Sequence, residues 1–262
     1  LLFSIYFFLK LENSNYKITK YFYYSVIFLA LAAYTRQFYV FLFPFLLWIY
    51  YKKAQFILFI KIIIITFLLG LPGVFYLLKN PLLYKGYEQD TTNFSSAILI
   101  SSSIIFFYIL PFAFQFIINN SNKIKFIIFE IFKIKNIFFI SILFFILILF
   151  FYYNSEIGGG IFYKISNIIF KNNYIFFITS YLGLYLILFY NKKNISNYLL
   201  SILLLITFST GFFIFQKYFE PMFLILFLCF FNYDKIEESL SKNNIYISLY
   251  FSLYYVAVNF LY

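Results

Sequence analysis

Histidine is absent from the 262 residues of this sequence, and cysteine occurs only once, at Cys229. Without histidine the chain has no Ser-His-Asp triad, no imidazole acid or base and no histidine-bound zinc. A single cysteine also excludes a disulfide framework and a thiolate metal cluster within the chain. Any proton transfer must therefore use one of nine carboxylates, a tyrosine or a lysine.

Charged residues are also scarce, because they make up 11% of the chain whereas apolar residues make up 64%. Ordinary soluble domains have about 25% charged and about 45–50% apolar residues. The net charge of +11 does not indicate nucleic acid, since the basic residues form short clusters between apolar runs. We therefore predict an all-α, polytopic integral membrane protein whose main partner is the lipid bilayer.

Apolar runs separated by polar breaks predict a bundle of about nine to ten membrane helices with short loops. The first run, 1–9, is shorter than the roughly 20 residues that cross a bilayer, so we expect residues 1–262 to be one transmembrane domain without its N-terminal helix. The runs that follow are 21–34, 38–51, 54–78, 97–118, 137–153, 174–190, 198–215, 218–233 and 245–262.

A helix break is predicted at Thr35-Arg36-Gln37, because an unbroken helix over 21–51 would be roughly 47 Å long against a hydrocarbon core of about 30 Å. With this break, strict alternation places thirteen lysines on one side and six basic residues on the other. The lysine-rich side is then cytoplasmic by the positive-inside rule. Without the break this bias weakens.

Two segments between the predicted spans are not expected to cross the bilayer. In 119–136 four lysines alternate with Ile and Phe, which predicts a cytoplasmic surface helix on anionic lipid. In 154–173 three glycines, Gly158 to Gly160, precede a short apolar stretch, which predicts a re-entrant or interfacial helix on the outer side. This triple glycine is not a P-loop, since no Gly-Lys-Ser/Thr follows it.

Polar residues concentrate at the predicted outer ends of the helices. Arg36 is the only arginine beside nineteen lysines, and it is interpreted either as a cation for a lipid phosphate or as an interfacial anchor. Glu88 and Asp90 are interpreted as a base or metal pair or as solvated loop residues. Lys217 and Glu220 are likewise interpreted as functional or as solvated, with Glu220 a candidate acid, base or metal ligand. A structural role is favoured for Glu156 and the glycine turn, and packing or lipid contact for Tyr108.

Two segments resemble the GT-C glycosyltransferases, which are polytopic membrane enzymes that use polyprenyl-phosphate sugars. The segment 29–37, ending in Tyr34-Thr35-Arg36-Gln37 and followed by Pro44, is similar to a helix pair of that superfamily broken by a Leu-Thr-Arg turn. The segment 216–221 is similar to the late Arg/Lys-Tyr…Pro segment that begins a downstream helix.

The resemblance implies an enzyme like the dolichyl-phosphate-mannose mannosyltransferases, in a bacterial inner membrane or the endoplasmic reticulum. It would move a sugar from the lipid phosphate to a glycan, lipid or protein acceptor at the periplasmic or luminal face. Arg36, Gln37, Lys217 and Tyr218 would bind the donor phosphate. The family's acidic catalytic residue lies in the first outer loop, which would precede Leu1, and a divalent cation is an open expectation.

Three other functions are compatible with the sequence. An oligosaccharide polymerase or ligase typically has a large outer loop, and no predicted loop here exceeds about twenty residues. A flippase or secondary transporter is expected to carry charged residues deep within its spans, whereas only Lys61 lies far inside one. A structural membrane subunit is the remaining alternative.

Overall fold

The computed structural model describes residues 1–17, 19–53, 56–80, 93–120, 134–153, 158–191, 195–207, 214–240 and 244–261. These residues form twelve α-helices and one 3-10 helix, with no strand among them, so the predicted all-α class is confirmed. The elements in chain order are α1 (Leu2–Asn13), α2 (Lys20–Thr35), the 3-10 helix (Gln37–Phe41), α3 (Leu42–Lys53), α4 (Phe56–Lys79), α5 (Phe94–Asn119), α6 (Ile134–Leu149), α7 (Gly160–Phe170), α8 (Tyr174–Phe189), α9 (Ile195–Ile206), α10 (Gln216–Phe230), α11 (Tyr233–Leu240) and α12 (Ile245–Leu261).

The chain divides into two compact units. The first comprises Leu1–Asp90 and Ile202–Thr207, and the second comprises Thr91–Ser201 and Phe208–Tyr262. Each unit has fully buried aromatic side chains of its own, among them Tyr50 in the first and Tyr108 in the second.

In the first unit the chain reverses direction at Arg36, as the sequence predicts. Arg36 adopts an extended backbone, with φ −145° and ψ 104°, immediately after α2. Tyr50, near the end of α3, packs beside the start of α2, where its ring centroid lies 4.6 Å from that of Phe22 and its hydroxyl contacts Ser25 Oγ. The helices α2 and α3 are therefore antiparallel, and the predicted break is confirmed.

The second unit is organised around α5, which is buried on nearly all sides. Helix α8 runs parallel to it, since the hydroxyl of Ser180 donates a 2.8 Å hydrogen bond to the Leu99 carbonyl and Gly183 lies three residues further along, against Ser102. A Cβ on Gly183 would lie 1.9 Å from the Ser102 carbonyl oxygen. Only glycine at this position lets the two backbones approach so closely.

Replacing Gly183 with alanine is expected to destabilise the second unit, because the added methyl group cannot fit without separating α5 and α8. Overpacking of this kind costs about 1–3 kcal/mol. The measurement is the melting temperature of the detergent-purified protein. Gly70→Ala is the matched control, since nothing lies within 4 Å of a Cβ at Gly70. Equal melting temperatures for both variants would contradict the close α5–α8 contact.

The segment that contains α7 enters the second unit and returns to the same end. It enters beside the start of α5, where the Ser96 hydroxyl donates a 2.6 Å bond to the Tyr152 carbonyl. It turns at Gly160, where a Cβ would lie 2.8 Å from Cγ1 of Ile104, one third of the way along α5. It comes back at the start of α8, where Phe151 and Phe176 are 5.4 Å apart by ring centroid. The segment thus leaves and returns at one end of α5, while its re-entrant or interfacial placement in the bilayer stays a prediction.

Two predicted boundaries are wrong. The apolar run 198–215 was expected to be one helix, but α9 ends at Ile206. The prediction missed this end because the composition stays apolar beyond Ile206 and gives no sign of it. The stretch 234–244 was expected to be a loop, but α11 occupies most of it, with Ile236 and Ser239 buried and charged residues on the opposite face. The predicted surface helix at 119–136 lies largely outside the described residues.

Two of the described helices are long and apolar enough to cross a bilayer, Phe56–Tyr76 within α4 and Phe94–Asn119, which is α5. The first is 6% buried and the second 89% buried over the most apolar window. The shorter apolar helices have 10–17 residues. These helices are compatible with an integral membrane protein, while the larger number of spans stays a prediction.

Candidate functional site

Arg36 and Gln37 lie in the first unit, where the chain turns between α2 and the 3-10 helix. Both side chains are exposed. The Arg36 backbone N–H donates a 2.9 Å bond to the Ala32 carbonyl, which closes the last turn of α2. The guanidinium lies close enough to the Tyr39 hydroxyl to act on it electrostatically. The turn therefore presents a cation at the surface of its unit.

Glu88 and Asp90 lie within 81–92, outside the described residues, and Glu156 lies outside them as well. No group of three or more His, Cys, Asp or Glu side chains that could bind a metal ion occurs in the described part of the chain. The expected divalent cation therefore has no ligand set among these residues, and no chemical step is assigned to it.

In the second unit, the start of α10 meets the start of α7. The Gln216 side-chain carbonyl, at the first residue of α10, accepts a 3.0 Å hydrogen bond from the Ile161 backbone N–H, at the second residue of α7. Neither helix has a side-chain cap at its N-terminus, because the capping residues are Gly159 for α7 and Phe215 for α10. Gln216 thus joins two helix N-termini whose backbone N–H groups point toward the same region.

Lys217 is the second residue of α10, where its charge opposes the helix dipole. A cation at a helix N-terminus is disfavoured by about 0.3–1 kcal/mol, whereas an anion there is favoured by a similar amount. The Lys217 side chain is exposed, and its ammonium lies 5.2 Å from the Phe215 ring centroid. A bound anion would turn this unfavourable arrangement into a favourable one. Of Tyr218, only the helical backbone is described.

Glu220 lies one turn into α10 and faces two tyrosine hydroxyl groups. The hydroxyls of Tyr108, from α5, and Tyr254, from α12, lie close enough to the Glu220 carboxylate to interact with it electrostatically. The Tyr108 hydroxyl is also 3.4 Å from the Gln216 carbonyl oxygen. Tyr108 is 1% exposed and Glu220 is partly exposed. The carboxylate therefore lies near two tyrosine hydroxyls and is partly reachable from outside the bundle.

The glycine turn before α7 contacts the segment that leads into α10. Gly158, Gly159 and Gly160 have φ values of +88°, +80° and +77°, a region that L side chains rarely adopt. The Gly159 N–H donates a 3.0 Å bond to the carbonyl of Ile214, two residues before α10. The turn thus sets the position of both helix N-termini.

Three of the predicted residues fall together in the second unit, Lys217 and Glu220 by side chain and Tyr218 by position in α10. Arg36 and Gln37 belong to the first unit. The sequence analysis interpreted Tyr108 as packing or lipid contact and did not single out Tyr254. A tyrosine near the middle of an apolar run is a weak signal by itself, because aromatic residues make up 28% of this chain.

Comparison with protein-family models, with curated proteins and with solved structures finds no match. The function is therefore inferred from the residues of this chain and their geometry.

Proposed function

We propose that this protein is a multi-pass membrane glycosyltransferase with about nine to ten membrane helices. It moves a sugar from a polyprenyl-phosphate donor to an acceptor at the periplasmic or luminal face. The observation that supports this function best is the meeting of two helix N-termini beside Lys217 and Glu220, joined by the 3.0 Å bond between Gln216 and Ile161. Such a site offers donors for a phosphate and a carboxylate for a proton.

The membrane part of the proposal is supported by the surface of α4. Most of the surface of this helix is exposed, including Phe67 at 67% and Leu68 at 56%. Burying one such side chain is worth about 1.5–3 kcal/mol relative to water. A lipid environment supplies that burial along the roughly 36 Å of a 24-residue helix. In water this surface would favour aggregation.

The reaction uses the site in a single displacement. The Glu220 carboxylate accepts the proton of the acceptor hydroxyl, whose oxygen forms a new bond to the anomeric carbon of the sugar. The bond between that carbon and the donor phosphate oxygen breaks, and the electron pair leaves with the polyprenyl phosphate. Lys217 and the helix N-termini stabilise the charge that grows on this phosphate.

Lys217→Gln is expected to lower kcat/KM for sugar transfer about 10- to 100-fold, since a charge-assisted hydrogen bond is worth about 1.5–3 kcal/mol. The measurement is transfer of radiolabelled mannose or glucose from polyprenyl phosphate to membrane glycolipid by the full-length protein in proteoliposomes. An unchanged kcat/KM would remove Lys217 from the site.

Two further variants complete this experiment. Lys79→Gln, at the end of α4, removes the same charge from an exposed helix end and is expected to keep the wild-type rate. Arg36→Ala tests the other predicted phosphate ligand. A wild-type transfer rate for this variant would remove Arg36 from the mechanism and leave it as an interfacial anchor.

A flippase or transporter of a lipid-linked substrate is the second candidate, and the depth of the site favours it. Gly160 lies against Ile104, which is roughly 15 Å along α5 from Phe94, and Gln216 lies beside Tyr108, one turn further along. Transporters bind anionic groups near the bilayer midplane at the N-termini of broken helices. Proteoliposomes with fluorescent polyprenyl phosphate and no acceptor distinguish the two. Lys217-dependent movement of the lipid between leaflets, with no sugar transfer in the parallel assay, would favour the transporter.

A further inference from the structure

Five lysines from three separate segments collect at one end of the first unit, here named the lysine end. Lys10 lies near the end of α1, and Lys17 and Lys20 lie between α1 and the first turn of α2. Lys52 and Lys53 are the last two residues of α3. All five side chains are exposed.

The packing of α1, α2 and α3 brings these segments together. Tyr50 lies two residues before Lys52, and its ring centroid is 6.0 Å from that of Phe8 in α1 and 4.6 Å from that of Phe22 in α2. The fully buried rings of Phe8, Phe22 and Tyr50 therefore fix the three chain ends side by side. The lysine end is thus a property of the fold and not of any one loop.

The charge of the lysine end is not balanced within its own part of the chain. Glu12 is the only carboxylate among residues 1–80. Five like charges repel one another, so their collection is unfavourable unless an external anion is present. Arg36 lies at the opposite end of α2, which confirms for α2 and α3 that the chain alternates between a lysine-rich end and a lysine-poor end.

Aromatic rings lie directly beneath several of these ammonium groups. The Nζ atom of Lys10 is 4.7 Å from the Tyr6 ring centroid, and that of Lys52 is 4.9 Å from the Trp48 ring centroid. Tyr6 is 48% exposed and Tyr51 is 59% exposed. Tyrosine and tryptophan beside lysine are typical of the zone where lipid headgroups meet acyl chains.

We infer that the lysine end binds the headgroups of anionic phospholipids, with Tyr6, Trp48 and Tyr51 at the level of the upper acyl chains. This inference rests on the membrane part of the proposed function and is independent of sugar transfer. Exposed aromatic rings next to the lysines favour a lipid surface over a nucleic acid, because a nucleic acid would leave the apolar surface around them in water.

Trp48 makes the inference testable, because it is the single tryptophan of the 262 residues and contacts Lys52. The protein is reconstituted into bilayers that contain brominated phosphatidylglycerol or brominated phosphatidylcholine, and quenching of Trp48 fluorescence reports which lipid lies beside it. We expect phosphatidylglycerol to be enriched about tenfold over phosphatidylcholine at Trp48, and the enrichment to fall in high salt.

The triple variant Lys10→Gln, Lys20→Gln and Lys53→Gln is expected to abolish this preference while leaving Lys52 beside the indole. Each basic residue near an anionic surface contributes about fivefold in affinity, so the loss of three is more than sufficient to remove a tenfold enrichment. The matched control is Lys79→Gln, Lys164→Gln and Lys171→Gln, which changes the net charge equally and is expected to keep the preference.

Each outcome of this experiment has a distinct meaning. Equal quenching by the two brominated lipids in the wild-type protein would overturn the lysine-end inference and leave the membrane proposal standing. The absence of quenching by either lipid would overturn the membrane proposal itself. Tight binding of a fluorescent polynucleotide to the detergent-purified protein, lost in the first triple variant, would overturn the assignment to lipid.

Discussion

Glu220→Gln is expected to lower the rate of sugar transfer by about 10²–10⁴, the usual contribution of a positioned general base. Glutamine keeps the size of the side chain but cannot accept the proton of the acceptor hydroxyl. It still fits beside the Tyr108 and Tyr254 hydroxyls, so the packing of α5, α10 and α12 is expected to survive. The measurement is the transfer rate under donor saturation, with the melting temperature recorded for the same preparation.

The matched control is Glu237→Gln in α11, where the side chain is exposed. This variant removes the same charge from the second unit and is expected to keep the wild-type transfer rate. A Glu220→Gln protein with a normal melting temperature and a transfer rate within threefold of wild type would contradict the assignment. The proton acceptor would then lie elsewhere.

Glu220 is tested rather than a loop carboxylate because it lies beside the interior of the helix bundle. The sequence analysis placed the polar residues at the outer ends of helices, yet the Glu220 site adjoins the interior of α5. Within a bundle, a carboxylate is costly to bury unless hydrogen-bond donors surround it. The Tyr108 and Tyr254 hydroxyls lie close enough to act on the Glu220 carboxylate electrostatically. The melting temperature distinguishes a reactive carboxylate, whose loss lowers only the transfer rate, from a structural one, whose loss also lowers stability.

The reversal at Arg36 was predictable because length alone forbids one helix across 21–51, and an arginine is costly in the middle of a bilayer. The turn at Gly158 to Gly160 was predictable because three consecutive glycines follow a polar stretch and precede an apolar one. Both predictions depend on local properties of the chain. They needed no knowledge of which helices pack together.

The partners of Glu220 were not predictable in the same way. Tyr108 and Tyr254 are separated from it by 112 and 34 positions in the sequence, and each lies in an apolar run rich in other aromatic residues. The helix α11 was missed for a different reason. The buried Ile236 and Ser239 alternate with charged residues, and this pattern is visible only at helical spacing. The high charge of the stretch suggested a loop instead.

Gly160→Ala is expected to lower both the melting temperature and the transfer rate, the latter by about 10- to 100-fold. Two costs combine at this residue. An L side chain at φ +77° is strained by roughly 1–2 kcal/mol, and the added Cβ would lie 2.8 Å from Cγ1 of Ile104. Relief of this contact moves the start of α7, and with it the Ile161 N–H that binds Gln216. Misplacement of about 1 Å at a reactive site can cost 10²-fold in rate.

A double-mutant cycle with Ile104→Ala separates the two costs. Removing Cγ1 of Ile104 provides space for the alanine methyl group but leaves the backbone strain at Gly160. We therefore expect Gly160→Ala to lower the melting temperature less in the Ile104→Ala background than in the wild-type protein, with a coupling energy of about 0.5–3 kcal/mol. Additive effects on stability would mean that the methyl group does not meet Ile104. The glycine turn would then lie outside the packing of α5, and the N-terminus of α7 would lose its fixed position beside Gln216.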